Sequence, residues 1–394
     1  MKRQQIWLVF RKEFIDLLRD RKTWIGAFVI PIVVIPLLFL LIGSSMSSVE
    51  EEARSDIPLA VRGAADHPLI EQLLQQPGTR LVQQSDPLAA LQQGEIRAVI
   101  QVPDDLEQRL ADGDTTQVKL WYDPSNQKSA YARDVVEEAI DQYERQVVAE
   151  RLERVGLTLQ TIQPIETTVE SVASDERITG SMLASVIPLM LLLSLASGGI
   201  PAATDLVAGE KERGTMEALI ASPVSPSSLL TAKLFAVMLM SGVSALASLI
   251  SLSTVLAFSP LGMEQANFSL GFLQPATIAL LLLMLLLLAA FFAGLELAIS
   301  TMARSFKEAQ TYMTPVVFLA MVPAYMLMPI NPVDIPLIYY LLPAFNGMAI
   351  FKEVFYGVVE PLHALLVVAS SLVYVVLVIW LAARFFQKES LLVK

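Results

Sequence analysis

The sequence predicts an α-helical polytopic membrane protein with six transmembrane helices, both termini on the cytoplasmic side, and a small α/β extracytoplasmic domain inserted between the first and second spans. Three observations carry this. Of 394 residues 54% are hydrophobic and only 17% are charged, too apolar a balance for a soluble globular chain. Long apolar runs fill the start and the second half, while residues 46–180 read as an ordinary soluble domain. Charge follows the same division: residues 1–22 carry a net +4, residues 46–180 a net −13 (25 acidic against 12 basic) and residues 181–394 a net −2.

Residues 1–22 place Trp7, Phe10, Phe14, Leu17 and Leu18 at helical spacing, with Arg11, Lys12, Asp16 and Arg19 on other faces. This pattern predicts an amphipathic helix lying in the membrane interface. A helix needs about 20 mostly apolar residues to cross the bilayer core. Six stretches qualify: Trp24–Ser45 (the 23–45 span), Ser181–Ala203, Leu229–Phe258, Phe272–Met302, Met313–Ile330 and Leu362–Arg384. The first has a long basic flank, reaches span length and lacks a clear small-residue cleavage site, so it reads as a span and not as a signal peptide.

Lys and Arg set the orientation. The basic N-terminus belongs inside, which puts 46–180 outside, 204–228 inside, the Lys- and Arg-free 259–271 connection outside, and Arg304, Lys307, Arg384, Lys388 and Lys394 inside. Lys352, on the outer 331–361 segment, is the exception.

Within 46–180 the pattern alternates. Strands are expected at Ile57–Val61, Arg80–Gln84, Ile96–Val102 and Gln117–Tyr122. Helices are expected at His67–Gln76, Asp86–Gln93, Pro103–Ala111 and Ser129–Val155. Such alternation implies an α/β unit. Its carboxylates are spread along helix faces without a catalytic grouping, and His67 reads as a surface residue beside Pro68.

The chemistry that is missing narrows the function. There is no cysteine, which excludes disulfides, thiolate metal sites and cysteine nucleophiles, and His67 and His363 are the only histidines, which excludes a multi-histidine metal site. Nothing in the charge balance suggests nucleic-acid binding. Gly209-x-x-x-x-Gly214 is not a phosphate-binding loop, because Thr215 stands where the lysine is required and no strand precedes it.

The stretch after the second span is the most informative: Asp205-Leu-Val-Ala-Gly-Glu-Lys-Glu-Arg-Gly-Thr-Met-Glu-Ala-Leu-Ile-Ala-Ser-Pro-Val-Ser-Pro226. It resembles the E-x-G-T-x-E-x-L-x-x-S-P-V-S coupling helix of ABC-2 type transporter permeases, matched by Glu212, Gly214, Thr215, Glu217, Leu219, Ser222, Pro223, Val224 and Ser225. The stretches 303–315 and 343–354 are similar to the NatB-like branch, permeases of Na⁺-efflux ABC transporters, which also insert an α/β domain between the first two spans.

The resemblance implies a non-enzymatic transport subunit in a prokaryotic inner or plasma membrane. Its partners would be a cytosolic ABC ATPase subunit carrying ATP and Mg, a second permease copy or paralogue, and membrane lipid. The coupling residues would be Glu210, Glu212, Gly214, Thr215, Glu217 and Pro223. The resemblance also implies export, and short re-entrant helices before the last span, in 331–361.

Ionisable residues inside spans are functional candidates. Glu296 lies six residues from the inner end of its predicted span, roughly 9 Å at 1.5 Å per residue. It could take Na⁺ with the hydroxyls of Ser300 or Thr301, exchange a proton, or pair with Arg304 or Lys307. Asn346 and Lys352 are polar candidates for an outer gate. Ser194, Ser197, Gly198, Gly199, Ser241, Gly242, Ser244, Ser248, Ser251 and Ser253 read first as close helix packing. Export of a lipid, peptide or drug-like substrate stands beside Na⁺ efflux, and a stand-alone cation/proton antiporter using Glu296 is a second alternative. A receptor lacks a cytosolic signalling domain, and a membrane hydrolase lacks its nucleophile elbow or metal pair.

Overall fold

The computed structural model describes residues 2–29, 32, 33, 37, 41, 48, 49, 51–158, 162, 175–258 and 274–392. Most of the predicted first span Trp24–Ser45 lies outside them, as do the 259–271 connection, most of 159–174 and Lys394. The chain divides into two compact units, Leu41–Glu170 and Met1–Leu40 together with Ser171–Lys394.

The larger unit begins with α1 (Lys2–Arg19). Its buried positions, Val9, Glu13 and Leu17, recur at i, i+4, i+8 and so form one stripe. Trp7, Leu8 and Leu18 are exposed, so the helix carries an exposed apolar face beside the one buried in the protein. A short helical turn, Arg21–Trp24, and a π-helical turn, Ile25–Val29, follow.

The smaller unit contains β1 (Ile57–Gly63), α2 (Pro68–Leu74), β2 (Thr79–Leu81), α3 (Pro87–Gln92), β3 (Ala98–Val102), α4 (Leu106–Asp112), β4 (Lys119–Tyr122) and α5 (Gln127–Arg154). The sheet order is β2-β1-β3-β4, with β1 parallel to β2 and β3, and β4 antiparallel to β3. Each predicted strand and helix is present, with its ends shifted by a few residues in either direction. Ile57, Leu59, Ile100 and Val102 pack with Leu69, Ile70 and Leu73 of α2 and Val136 of α5. Ala60 and Val99 face the other way, toward Ala90 and Leu91 of α3. Covering both faces is what a mainly parallel sheet requires.

The helices start where their caps are. Asp86 accepts from the amides of Leu88 and Ala89, and Asn126 from those of Lys128 and Ser129. His67 departs from expectation. It is buried, its Nδ1 caps α2 by accepting from the Leu69 amide at 3.1 Å, and its ring packs edge-on against Tyr143. The cap position ahead of Pro68 draws the ring inward.

The remaining elements of the larger unit are α6 (Asp175–Gly198), α7 (Ile200–Ala203), a π-helical segment Thr204–Gly209, a helical turn Glu210–Glu212, α8 (Thr215–Ala221), α9 (Pro226–Phe258), α10 (Pro275–Met302), α11 (Phe306–Tyr312), α12 (Thr314–Leu327), α13 (Phe345–Tyr356) and α14 (Pro361–Leu392). Among the described residues five helical stretches are long and apolar enough to cross a membrane: Leu183–Glu212, Pro226–Thr254, Pro275–Met302, Phe306–Leu327 and Pro361–Gln387. The molecule is a polytopic helical membrane protein.

Helix α6 packs against α9, α12 and α13, and α10 lies along α14. Close approach is built from glycine. A Cβ on Gly294 would press on Val378, and one on Gly347 would collide with Leu288.

Two expectations are corrected here. The second span does not stop at Ala203: helical structure runs on to Glu212, so the first third of the expected 204–228 loop is wound into it. The 331–361 segment holds one α-helix, α13, preceded by two 3₁₀ turns, Pro332–Asp334 and Leu337–Tyr340, because Pro332, Pro336 and Pro343 interrupt longer helical hydrogen bonding.

Burial holds the pKa of His67 below its ordinary 6.5, against a smaller opposing pull from Glu107. A basic group depressed on folding contributes stability that is complete above its unfolded pKa and is lost as pH falls through the folded value. The smaller unit is therefore expected to weaken progressively below about pH 6.5, and His67→Asn, which keeps a capping oxygen, to flatten that dependence. Urea midpoints between pH 7.5 and 5, followed by Trp121 in a chain whose other tryptophans are phenylalanine, check this.

Candidate functional site

The stretch from Thr204 to Pro226 is shaped by its glycine and its caps. Gly214 adopts φ +70° between the Glu210–Glu212 turn and α8. That backbone conformation strains any residue with a Cβ, which explains glycine at this place in the motif. Helix α8 buries Met216 and leaves Glu217 and Ala218 exposed. Ser222 closes it by donating to the Leu219 carbonyl at 2.6 Å, and Ser225 Oγ accepts from the Ser228 amide at 3.2 Å, starting α9 with Pro226 in its first turn.

This segment is bound to the bundle on several sides. Lys211 donates to the carbonyls of Thr301 and Ala303 at the end of α10. Glu212 accepts from the Phe306 amide at 2.7 Å, holding the start of α11. The Ala208 amide donates to Ser300 Oγ at 3.3 Å. Arg213 pairs with Asp205 at 2.8 Å.

The strongest tie comes from α9. Lys233 is 0% exposed, and its ammonium donates to Glu210 Oε2 at 2.7 Å, Glu13 Oε1 at 3.0 Å and the Leu206 carbonyl at 2.7 Å. Lys12 approaches the same carboxylates, at 3.2 Å from Glu13 and 3.4 Å from Glu210. Lys12 also pairs with the exposed Asp16 at 3.5 Å, and all three protons of Lys233 are used. The cluster joins α1, α9 and the coupling segment at one point. Glu210 was expected to offer its charge to a partner. It is buried and neutralised from within, whereas Glu212, Gly214, Thr215 and Glu217 are exposed.

The other predicted site residues are placed as follows. Glu296 is fully buried on α10, and neither carboxylate oxygen has a hydrogen-bond partner among the described residues. It does not pair with Arg304 or Lys307. Thr301 Oγ1 donates back to the Leu297 carbonyl at 2.7 Å, and Ser300 is engaged with Ala208, so neither hydroxyl is turned to Glu296. Asn346 is buried and donates to Ser370 and Ser371 on α14 at 3.0 and 2.9 Å. Lys352 is buried too, its ammonium capped by the carbonyls of Leu327, Met328 and Ile330. Both residues lock α13 to its neighbours.

A family model described as ABC-2 family transporter protein matches residues 21–384. The chain belongs to this family. It is also 33% identical, over 386 residues and 97% of each chain, to the ABC transporter permease protein NatB of Bacillus subtilis (strain 168). The chain is accordingly an ABC-2 permease subunit of an ABC transporter.

Reading the permease by sequence passed over Glu13, Lys12 and Lys233. Lys233 carried a usable signal, since it is the one charged residue in the predicted Leu229–Phe258 span, and an intramembrane cation calls for a named counter-charge. Its partners lie 220 and 23 residues away, beyond any local pattern.

Removing one member of a buried ion pair leaves the others uncompensated. Lys233→Met is expected to lower stability by about 3–5 kcal/mol, and adding Glu13→Gln and Glu210→Gln to recover most of it. Arg213→Met, at a half-exposed pair, should change stability by less than about 1 kcal/mol. Thermal unfolding of the full chain in one fixed detergent measures all three.

Proposed function

We propose that the permease couples to a separate cytosolic ABC ATPase through the 204–228 segment and that its direction is export. The observation that carries the reading is α8 and its flanks. A short helix flanked by exposed Glu212 and Gly214, with Thr215 and Glu217 exposed on it, is fastened through Lys211 to the end of α10, through Glu212 to the start of α11 and through the Lys233 cluster to α9. A helix held this way cannot be displaced without moving the spans it is tied to, so a nucleotide-driven push would travel as rigid-body motion. ATP and Mg belong to the partner, and a second permease copy or paralogue completes the pathway.

In this arrangement 1–22 lies at the inner interface, 23–45 is the first of six spans, 46–180 is extracytoplasmic, and 181–394 forms the five remaining spans with the outer 331–361 segment. The Lys and Arg distribution supports N-in and C-in. Na⁺ efflux is the finer substrate reading, implied by the resemblance to the NatB-like branch. A lipid, peptide or drug-like cargo remains the competing one. The carboxyl of Glu296, buried inside a span, favours the cation.

Glu217→Lys is expected to weaken association with the ATPase at least about tenfold without moving the unfolding temperature, because the residue is exposed and free of the ion cluster. Glu210→Gln is expected to do the reverse, lowering stability first. Binding of the purified ATPase to each variant in nanodiscs, beside its melting curve, separates these outcomes, and unchanged binding by Glu217→Lys sinks the coupling assignment.

A further inference from the structure

Two polar groups in the interior of the bundle have no partner and point at the same place. Both oxygens of Glu296 on α10 and the hydroxyl of Ser241 on α9 are buried and unbonded among the described residues. A Cβ built on Gly199 would collide with Glu296 Oε2 and Ser241 Oγ alike. Gly199 lies between α6 and α7 with helical φ −82° and ψ −21°, so carboxylate, hydroxyl and a helix position without a side chain meet at one point. Neighbouring Gly198 is packed as closely on Ser244. Unpaired carboxylates in a low-dielectric interior are unfavourable and rarely retained without a use. Carboxylate and hydroxyl oxygens are the donor set that small hard cations take.

The residues that follow Gly199 lead outward. Ile200 borders a cavity of about 320 Å³ with Gln310 and Thr314, and Pro201 borders a larger one of about 940 Å³ with Asp20, Asp205, Glu212 and Gln310. Gln310 lines both, and the larger opens at the coupling segment, with Asp20, Asp205, Glu212 and Arg213 on its lining. From Gly199, beside Glu296, the chain reaches this acidic vestibule through α7 and then the π-helical Thr204–Gly209. A π turn inside a helix is rare and is found most often at functional sites.

We infer that Glu296 and Ser241, meeting at Gly199, form a monovalent-cation site that takes up Na⁺ in exchange for a proton and is loaded from the acidic vestibule when Ile200–Gly209 moves. This deepens the cation-export reading and rests on it. The exchange is charge-neutral, one proton leaving the carboxyl for each Na⁺ bound, and the motion that opens it is the motion of the segment to which the coupling helix is joined.

The test uses the full chain with its ATPase in nanodiscs and a hydrophobic carbodiimide, which converts a reached carboxyl to an N-acylurea that peptide mass spectrometry locates. Na⁺ should slow modification of Glu296 where choline and K⁺ at equal ionic strength do not, more at pH 8 than at pH 6 because the proton competes. Ser241→Ala should raise the half-protecting Na⁺ concentration about tenfold. Equal rates in Na⁺ and choline at every pH, protection unchanged by Ser241→Ala, or a Glu296 that never reacts would each overturn the site. ATP-driven ²²Na⁺ flux in liposomes separates this from the wider reading. Flux lost in Glu296→Gln with ATPase binding intact supports the site, and flux retained in Glu296→Gln overturns it while leaving Na⁺ export standing. ATP turnover with no wild-type Na⁺ flux removes both.

Discussion

The ammonium of Lys233 is where the N-terminal helix, the coupling segment and α9 are made to agree. It holds Glu13 from the N-terminal helix, Glu210 from the coupling segment and the Leu206 carbonyl from the π-helical stretch. A fully buried charge tolerates little displacement, since any partner lost leaves an unsolvated ion. The geometry of the coupling segment is therefore set from inside the bundle, and α8 inherits a fixed position on its outer side. Other contacts, such as Lys211 on the last carbonyls of α10, then act on a segment already placed.

That constraint explains a division of labour among carboxylates that look alike in sequence. Glu210, Glu212 and Glu217 share one short acidic motif, yet the first is an internal counter-ion, the second is an exposed residue that also caps the neighbouring helix, and the third is exposed. Helical winding through Thr204–Glu212 turns Glu210 toward α9. Beyond Gly214, Thr215, Glu217 and Ala218 are exposed while Met216 turns inward. Glu296 is the opposite case: a carboxylate with no counter-ion among the described residues, set against Gly199 and Ser241.

Much of the architecture was legible in the sequence because hydrophobic length and period are local properties. Five apolar stretches became helices long enough to cross a membrane. The four strands of the smaller unit also formed where alternation predicted them. Within the 331–361 segment, Asn346–Phe355 are buried throughout. The coupling motif was legible as well, down to its glycine, because a turn needing φ +70° admits few residues.

What the sequence by itself determined, then, is which segments are apolar, which alternate and which short motif identifies the family. All of these depend on neighbours within a few turns of chain. Tertiary structure alone decided which charges are internal. Lys233 is matched by residues 220 and 23 positions away, and His67 went inward because its ring caps α2 beside Tyr143. Ser241 and Gly199 looked like packing residues until α6, α9 and α10 brought them against Glu296. The physical reason is the same each time: the free energy of a buried polar group depends on what surrounds it in space, and a one-dimensional pattern does not contain that.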